Sequence, residues 1–255
     1  MRLRALALVV ALAALLAPVA ACGKSGGSGQ AKTTLTVLAA ASLTNAFGEM
    51  KAAYAKDHPD VTLRFSFAGS QELAAQVRSG APADVIATAD EKTMTALSKY
   101  VVDPEPFVTN RLAIVVGKGN PKHITTLRDL ARSDLKVVLA GPTVPAGRYA
   151  RQILARAQVT VRPKSEPTDV RQVLTPVRLG EADAGIVYVT DIKDAGGSQV
   201  QAVSIPAKQN LIATYPVAAI KDSRHAAAAK AFAAWLRTEP ATAILTEHGF
   251  GRPPK

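Results

Sequence analysis

Leu35–Tyr54 reads LTVLAAASLTNAFGEMKAAY. Leu35 to Leu38 has the composition of a strand, and Leu43, Ala46, Phe47, Met50 and Tyr54 then recur at near-helical spacing, the stripe of a buried helix face. Small residues join the two, and Ser42 stands where a helix N-cap is expected. The same unit follows twice more. Val61–Phe67 is a second strand leading to a helix near Gln71–Ser79, with Ser70 in the capping position. Ala83–Ala87 is a third strand, and Asp90 is placed to cap the helix holding Met94 and Leu97. This βαβαβα order argues for an α/β fold with a mainly parallel sheet covered by helices.

A second block of similar units extends from residue 112. Leu112–Val116 and Leu135–Ala140 are strand candidates, and Ala150, Ile153, Leu154 and Ala157 mark a helix. Val170, Val173, Leu174 and Val177 mark another, within which Pro176 predicts a kink or an early stop. Ala184–Tyr188, Val200–Ile205 and Leu211–Ile220 read as strands, and Phe232, Trp235 and Leu236 anchor a C-terminal helix. No internal repeat recurs at a fixed period.

The N-terminus bears on the compartment. Arg2 and Arg4 precede an apolar run from Ala5 to Ala20, shorter than the roughly 20 residues of a spanning helix. The run closes on Val19-Ala20-Ala21-Cys22, so residues 1–21 read as a secretory signal. The ending resembles a bacterial lipobox, which makes Cys22, the only cysteine, the expected site of lipidation. Residues 22–32 then form a polar, flexible tether holding the folded part at the outer face of the cell membrane. A single cysteine excludes an internal disulfide, so the apolar core must carry stability. The 31 basic and 20 acidic residues give a net charge of +11. The basic residues are dispersed and aromatics are sparse, which argues against nucleic acid and favours long-range attraction of a small anion.

Three strand-to-helix junctions have the character of anion sites: Ala39–Thr44, Phe67–Glu72 and Gly141–Gly147. The first amides of a helix have no intrahelical partner, and the helix dipole is positive there. Each junction is a weak signal alone, because serine at a helix start is an ordinary cap. Ligands of open α/β sheets gather at the carboxyl ends of strands, which is where all three lie.

Four ordered blocks then carry a specific likeness: Val37–Met50 (VLAAASLTNAFGEM), Phe67–Asp90 (FAGSQELAAQVRSGAPADVIATAD), Gly141–Ala150 (GPTVPAGRYA) and Asp169–Asp191 (DVRQVLTPVRLGEADAGIVYVTD). Together they resemble the periplasmic molybdate-binding proteins of ABC importers over roughly Thr34 to Phe250. The resemblance implies a two-lobed, type II periplasmic-binding-protein fold with the ligand cleft between lobes. It implies one lobe from 33–111 plus 215–255, the other from 112–214, and hinges near Asn110–Leu112 and Ala213–Pro216. Carried over by position, the ligand contacts would be the hydroxyls and amides of Ser42 and Ser70, the amides of Ala146 and Val170, and the phenol of Tyr188. Molybdenum would be held only as the oxyanion, molybdate or tungstate, with no other metal and no cofactor. The implied partner is a membrane permease, and the protein is expected to be a monomer. Arg148 is expected to be peripheral. Where many relatives have a second hydroxyl residue this chain has Gln71, which alters one side-chain donor.

A fully ionised dianion accepts hydrogen bonds and offers no proton, so its site should present donors only. A protonated phosphate would want an acceptor, and sulfate is a smaller dianion of the same shape. An enzyme reading, with Ser42 or Ser70 as nucleophile, lacks support: His58, His123, His225 and His248 show no zinc-ligand spacing, and no Gly-x-Ser-x-Gly elbow occurs.

Overall fold

A computed structural model describes residues 32–253. The leader, Cys22 and the tether up to residue 31 lie outside them. The strands are β1 (Thr33–Ala40), β2 (Val61–Ala68), β3 (Val85–Ala87), β4 (Val101–Gly117), β5 (Val137–Leu139), β6 (Ala184–Tyr188), β7 (Val200–Ser204) and β8 (Ile212–Ile220). They form one path in the order β2-β1-β3-β8-β4-β6-β5, with β7 paired to β4. The helices are α1 (Thr44–Asp57), α2 (Ser70–Arg78), α3 (Glu91–Thr95), α4 (Pro145–Arg156), α5 (Arg171–Arg178), α6 (Val189–Asp194), α7 (Ala226–Trp235) and α8 (Glu239–Glu247).

Parallel pairing holds where the βα units predict it, in β2–β1–β3 and in β5–β6. The centre is antiparallel: β8 runs against both β3 and β4, and β4 runs against β6 and β7. The strand β4 changes partners midway. Up to Arg111 it pairs with β8, and from Leu112 to Val116 it pairs with β6. This change divides the path into a first section (β2, β1, β3, β8) and a second (β6, β5, β7). Beside it the chain's last described residues are stitched in, because Thr109 N donates to Gly251 O at 2.8 Å and Gly251 N donates back to Thr109 O at 2.8 Å.

Packing follows the sequence pattern. The helix α1 buries Ala46, Phe47, Met50 and Tyr54. The Phe47 ring meets Phe65 at 5.5 Å, Phe107 at 6.1 Å and Phe232 at 6.4 Å. On the opposite face of the first section, Leu38, Leu73, Val77, Ile86, Met94 and Leu97 make a smaller core under α2 and α3. In the second section Val173, Leu174 and Val177 of α5 and Ile153 and Leu154 of α4 are buried against the strands.

Three local expectations change. Ser42 is not an N-cap: it lies in a 3₁₀ turn, Ala41–Leu43, ahead of α1, whose N-cap is Leu43. Ser70 is the first residue of α2 rather than its cap, which is Gly69. Neither hydroxyl is used up on a helix end. Pro176 does not stop α5, which continues to Arg178. The Pro176 carbonyl there accepts from Glu181 N at 2.8 Å and Ala182 N at 3.0 Å.

Candidate functional site

The five residues carried over from the resemblance converge. Ser42, Ser70, Ala146, Val170 and Tyr188 all line one cavity, with Ala40, Ala41, Ala68, Gly69, Ala89, Val144, Pro145 and Asp169 completing its wall. The cavity itself is small, about 10 Å³. All five are buried, none more than 4% exposed. The first section contributes the two serines, from the ends of β1 and β2. The second contributes Ala146 in the first turn of α4, Val170 at the start of α5 and Tyr188 at the end of β6. Ser70, Ala146 and Val170 stand at helix starts, where backbone amides have no intrahelical acceptor.

Hydrogen bonds hold both serine hydroxyls in place. Ala89 N donates to Ser70 Oγ at 3.0 Å, so the Ser70 proton is left for the cavity. Asn110 Nδ2 donates to Tyr215 Oη at 3.4 Å and to Thr190 Oγ1 at 2.8 Å. Tyr215 Oη lies 2.9 Å from Ser42 Oγ, a hydrogen bond in which either hydroxyl can donate. Asn110 Oδ1 accepts from Arg111 N at 2.9 Å, which sets the orientation of its amide.

Tyr188 Oη is buried and has no hydrogen-bond partner among the described residues. An unpaired buried hydroxyl costs about 1–3 kcal/mol, so a cavity that keeps one has a use for it. Burial above all, with Tyr215, Tyr149 and Asp90 nearby, pushes the Tyr188 phenol far above its usual range. Burial does the same to Tyr215. Both remain protonated donors at any physiological pH.

One carboxylate borders the cavity. Asp169 accepts from Gln172 N at 3.1 Å on one oxygen and from Gln172 Nε2 at 2.6 Å on the other. Its acceptor capacity is thus turned toward the first turn of α5. A second carboxylate, Asp191, lies beneath Tyr188 and accepts from Tyr188 N at 3.0 Å. Burial pushes it up to about 7, against the pull of the Tyr188 N–H and of Arg171. The unfolded chain ionises this group near pH 4. Its contribution to stability is therefore fully present below about pH 4 and is lost as pH rises through about 7. A rise of this size corresponds to about 4 kcal/mol at most. Asp191→Asn, which keeps the acceptor for Tyr188 N, is expected to flatten the loss of stability between about pH 4 and pH 8. Urea unfolding at both ends of that range measures it, and an unchanged slope in the variant would remove Asp191 as the cause.

Arg148 lies outside the cavity wall. It pairs with Asp90, donates to Thr93 Oγ1 at 3.0 Å and also donates to Thr143 O. Sequence reasoning did not assign Tyr215, Asn110 or Ala89 to the site. Asn110 offered a signal, since asparagine is depleted in strands and this one interrupts an apolar run. Tyr215 and Ala89 offered none.

Comparison with known proteins shows the family. Residues 35–251 match the family described as bacterial extracellular solute-binding protein. A molybdate-binding protein of Mycobacterium tuberculosis is 36% identical over 250 residues, covering 94% of this chain and 95% of the relative. A Bacillus subtilis protein, provisionally named an ABC transporter substrate-binding lipoprotein, is 33% identical, covering 95% and 96%. The structure of the Azotobacter vinelandii periplasmic molybdate-binding protein superposes with a TM-score of 0.72 at 21% identity, covering 86% of this chain and 100% of that one, which shows a shared fold.

Proposed function

This chain belongs to the bacterial extracellular solute-binding proteins, and from that premise we propose that it captures molybdate, or the similarly sized tungstate, and delivers it to an ABC importer. The observation that carries the reading is the donor-rich cavity: the Ser42 and Ser70 hydroxyls, a Tyr188 hydroxyl without a partner among the described residues, and helix-start amides from both sections, with Asp169 the one carboxylate on its wall. The 36% identical relative named for molybdate supports the choice of anion. Each hydrogen bond to a charged group contributes about 1.5–3 kcal/mol, so several converging donors overcome the cost of binding without a lysine or arginine at the anion.

The mechanism follows from where the donors originate. An anion attracted by the net positive charge meets the serines of one section first. Rotation about the β4 and β8 crossing, near Asn110–Leu112 and Ala213–Pro216, brings up the amides of Ala146 and Val170 and the Tyr188 phenol. The closed form then docks on the permease. Lipidation at Cys22 and a monomeric state complete the proposal, the first in keeping with the Bacillus relative's name.

Calorimetric titration with molybdate, tungstate, sulfate and phosphate tests the reading. Binding of the first two and little of the others is expected. Ser42→Ala and Ser70→Ala should each weaken molybdate binding by roughly tenfold or more. Molybdate at about 100 times its Kd should also stabilise the fold by about 2.7 kcal/mol, visible as a higher Tm. Equal affinity for sulfate would overturn the assigned selectivity, and no binding of any of the four would overturn the function.

A further inference from the structure

Arg148 and Asp90 stand on opposite sides of the cavity. Arg148 is on α4, two residues beyond Ala146, in the second section. Asp90 is the N-cap of α3 in the first section and adjoins Ala89, whose amide holds Ser70 Oγ. Asp90 is buried, with its side chain 3% exposed, and the Arg148 side chain is 17% exposed. The guanidinium makes three bonds: to Asp90 Oδ2 and Thr93 Oγ1 across the cleft, and to Thr143 O on its own side. Other bonds that cross between the sections include Gln71 Nε2 to Thr168 O at 2.7 Å, Arg171 Nη1 to Asn45 Oδ1 at 2.9 Å and, from the end of α8 to α6, His248 Nδ1 with Asp194 Oδ1 at 2.8 Å. The first two do not pair charges, and the third does so only when the imidazole is protonated.

We propose that Arg148 is a positioning residue that sets how long the anion is held, by latching α4 to Asp90 when the two sections close. This inference rests on the function proposed above. The pair acts in two ways. It ties the Ala146 amide to the side of the cavity that carries Ser70. It also cancels the Asp90 carboxylate, which would otherwise stand as a buried negative charge close to a bound dianion. Removing one partner of a buried pair leaves the other uncompensated, and the loss falls on the closed form, because in an open cleft both groups are hydrated. Affinity differences of this origin appear in the release rate.

The test measures molybdate dissociation by stopped flow, with association rate and unliganded Tm recorded alongside. The proteins are wild type, Arg148→Met, Asp90→Asn and the double variant. Methionine keeps much of the arginine stem's packing, and asparagine keeps the acceptor that caps α3. Arg148→Met should release molybdate about 30-fold faster, with association changed by no more than a few-fold and unliganded Tm nearly unchanged. The double variant should release more slowly than Arg148→Met, since Asp90 is then no longer a lone charge. A release rate for Arg148→Met within twofold of wild type overturns the latch alone, as do additive effects in the double variant. A wild type that binds none of the anions overturns the proposed function and the latch with it.

Discussion

Gly69→Ala is expected to weaken anion capture by about 150-fold while leaving the unliganded protein's unfolding nearly unchanged. Gly69 has φ −60° and ψ 137°, a conformation open to any residue, so alanine brings no backbone strain. The obstacle lies across the cleft. A Cβ at Gly69 would fall well inside contact distance of the Gln71 side-chain amide and of the Thr168 carbonyl oxygen. Gln71 can swing aside, but Thr168 O belongs to the backbone of the segment leading into α5, in the second section. Relief requires that segment to withdraw, and with it Val170. Overpacking of this kind costs up to about 3 kcal/mol, which is about 150-fold in Kd. The cost exists only in the closed arrangement. Calorimetry with molybdate and thermal unfolding without it separate the two effects. Affinity equal to wild type would show that the cleft does not close on Gly69 when it holds the anion.

Tyr188→Phe should move binding and stability in opposite directions. The phenol oxygen is buried without a partner, so the folded protein carries its desolvation cost. Phenylalanine keeps the ring, including its packing on Tyr215 at 5.7 Å, and removes that cost. The unliganded variant should therefore be about 1 kcal/mol more stable than wild type. The same change removes a donor to a charged ligand, about 1.5–3 kcal/mol, or roughly 10- to 150-fold in Kd. Urea unfolding and calorimetric titration on the same preparation give both numbers. A variant that is less stable and binds as tightly would mean that the hydroxyl serves the fold rather than the anion.

The parts of this molecule legible in the sequence are those set by local pattern. Ala184–Tyr188 is the observed β6 residue for residue, and the Phe47–Met50–Tyr54 stripe is the buried face of α1. The first half of β4 was hidden by Pro104 and Pro106, which argue against a strand interior. The structure accommodates them at two irregularities in the β4–β8 register, between Val102 and Glu105 and between Pro106 and Val108. Ser42 and Ser70 were legible as residues near helix starts. Their partners were not, because these are Tyr215, 173 positions from Ser42, and Ala89, 19 from Ser70. The bonds across the cleft also join distant positions, 58, 97 and 126 apart. Contacts of that range arise from tertiary packing and leave no local trace.

The place of β8 bears on how such a protein is made. The strand inserts between β3 and β4, although both precede it by about a hundred residues or more. Until residue 220 has been synthesised, the nascent chain lacks the strand that zips these two together. Pairing of such high contact order is slow to form. The central sheet is therefore completed only once β8, the last strand in the chain, is available.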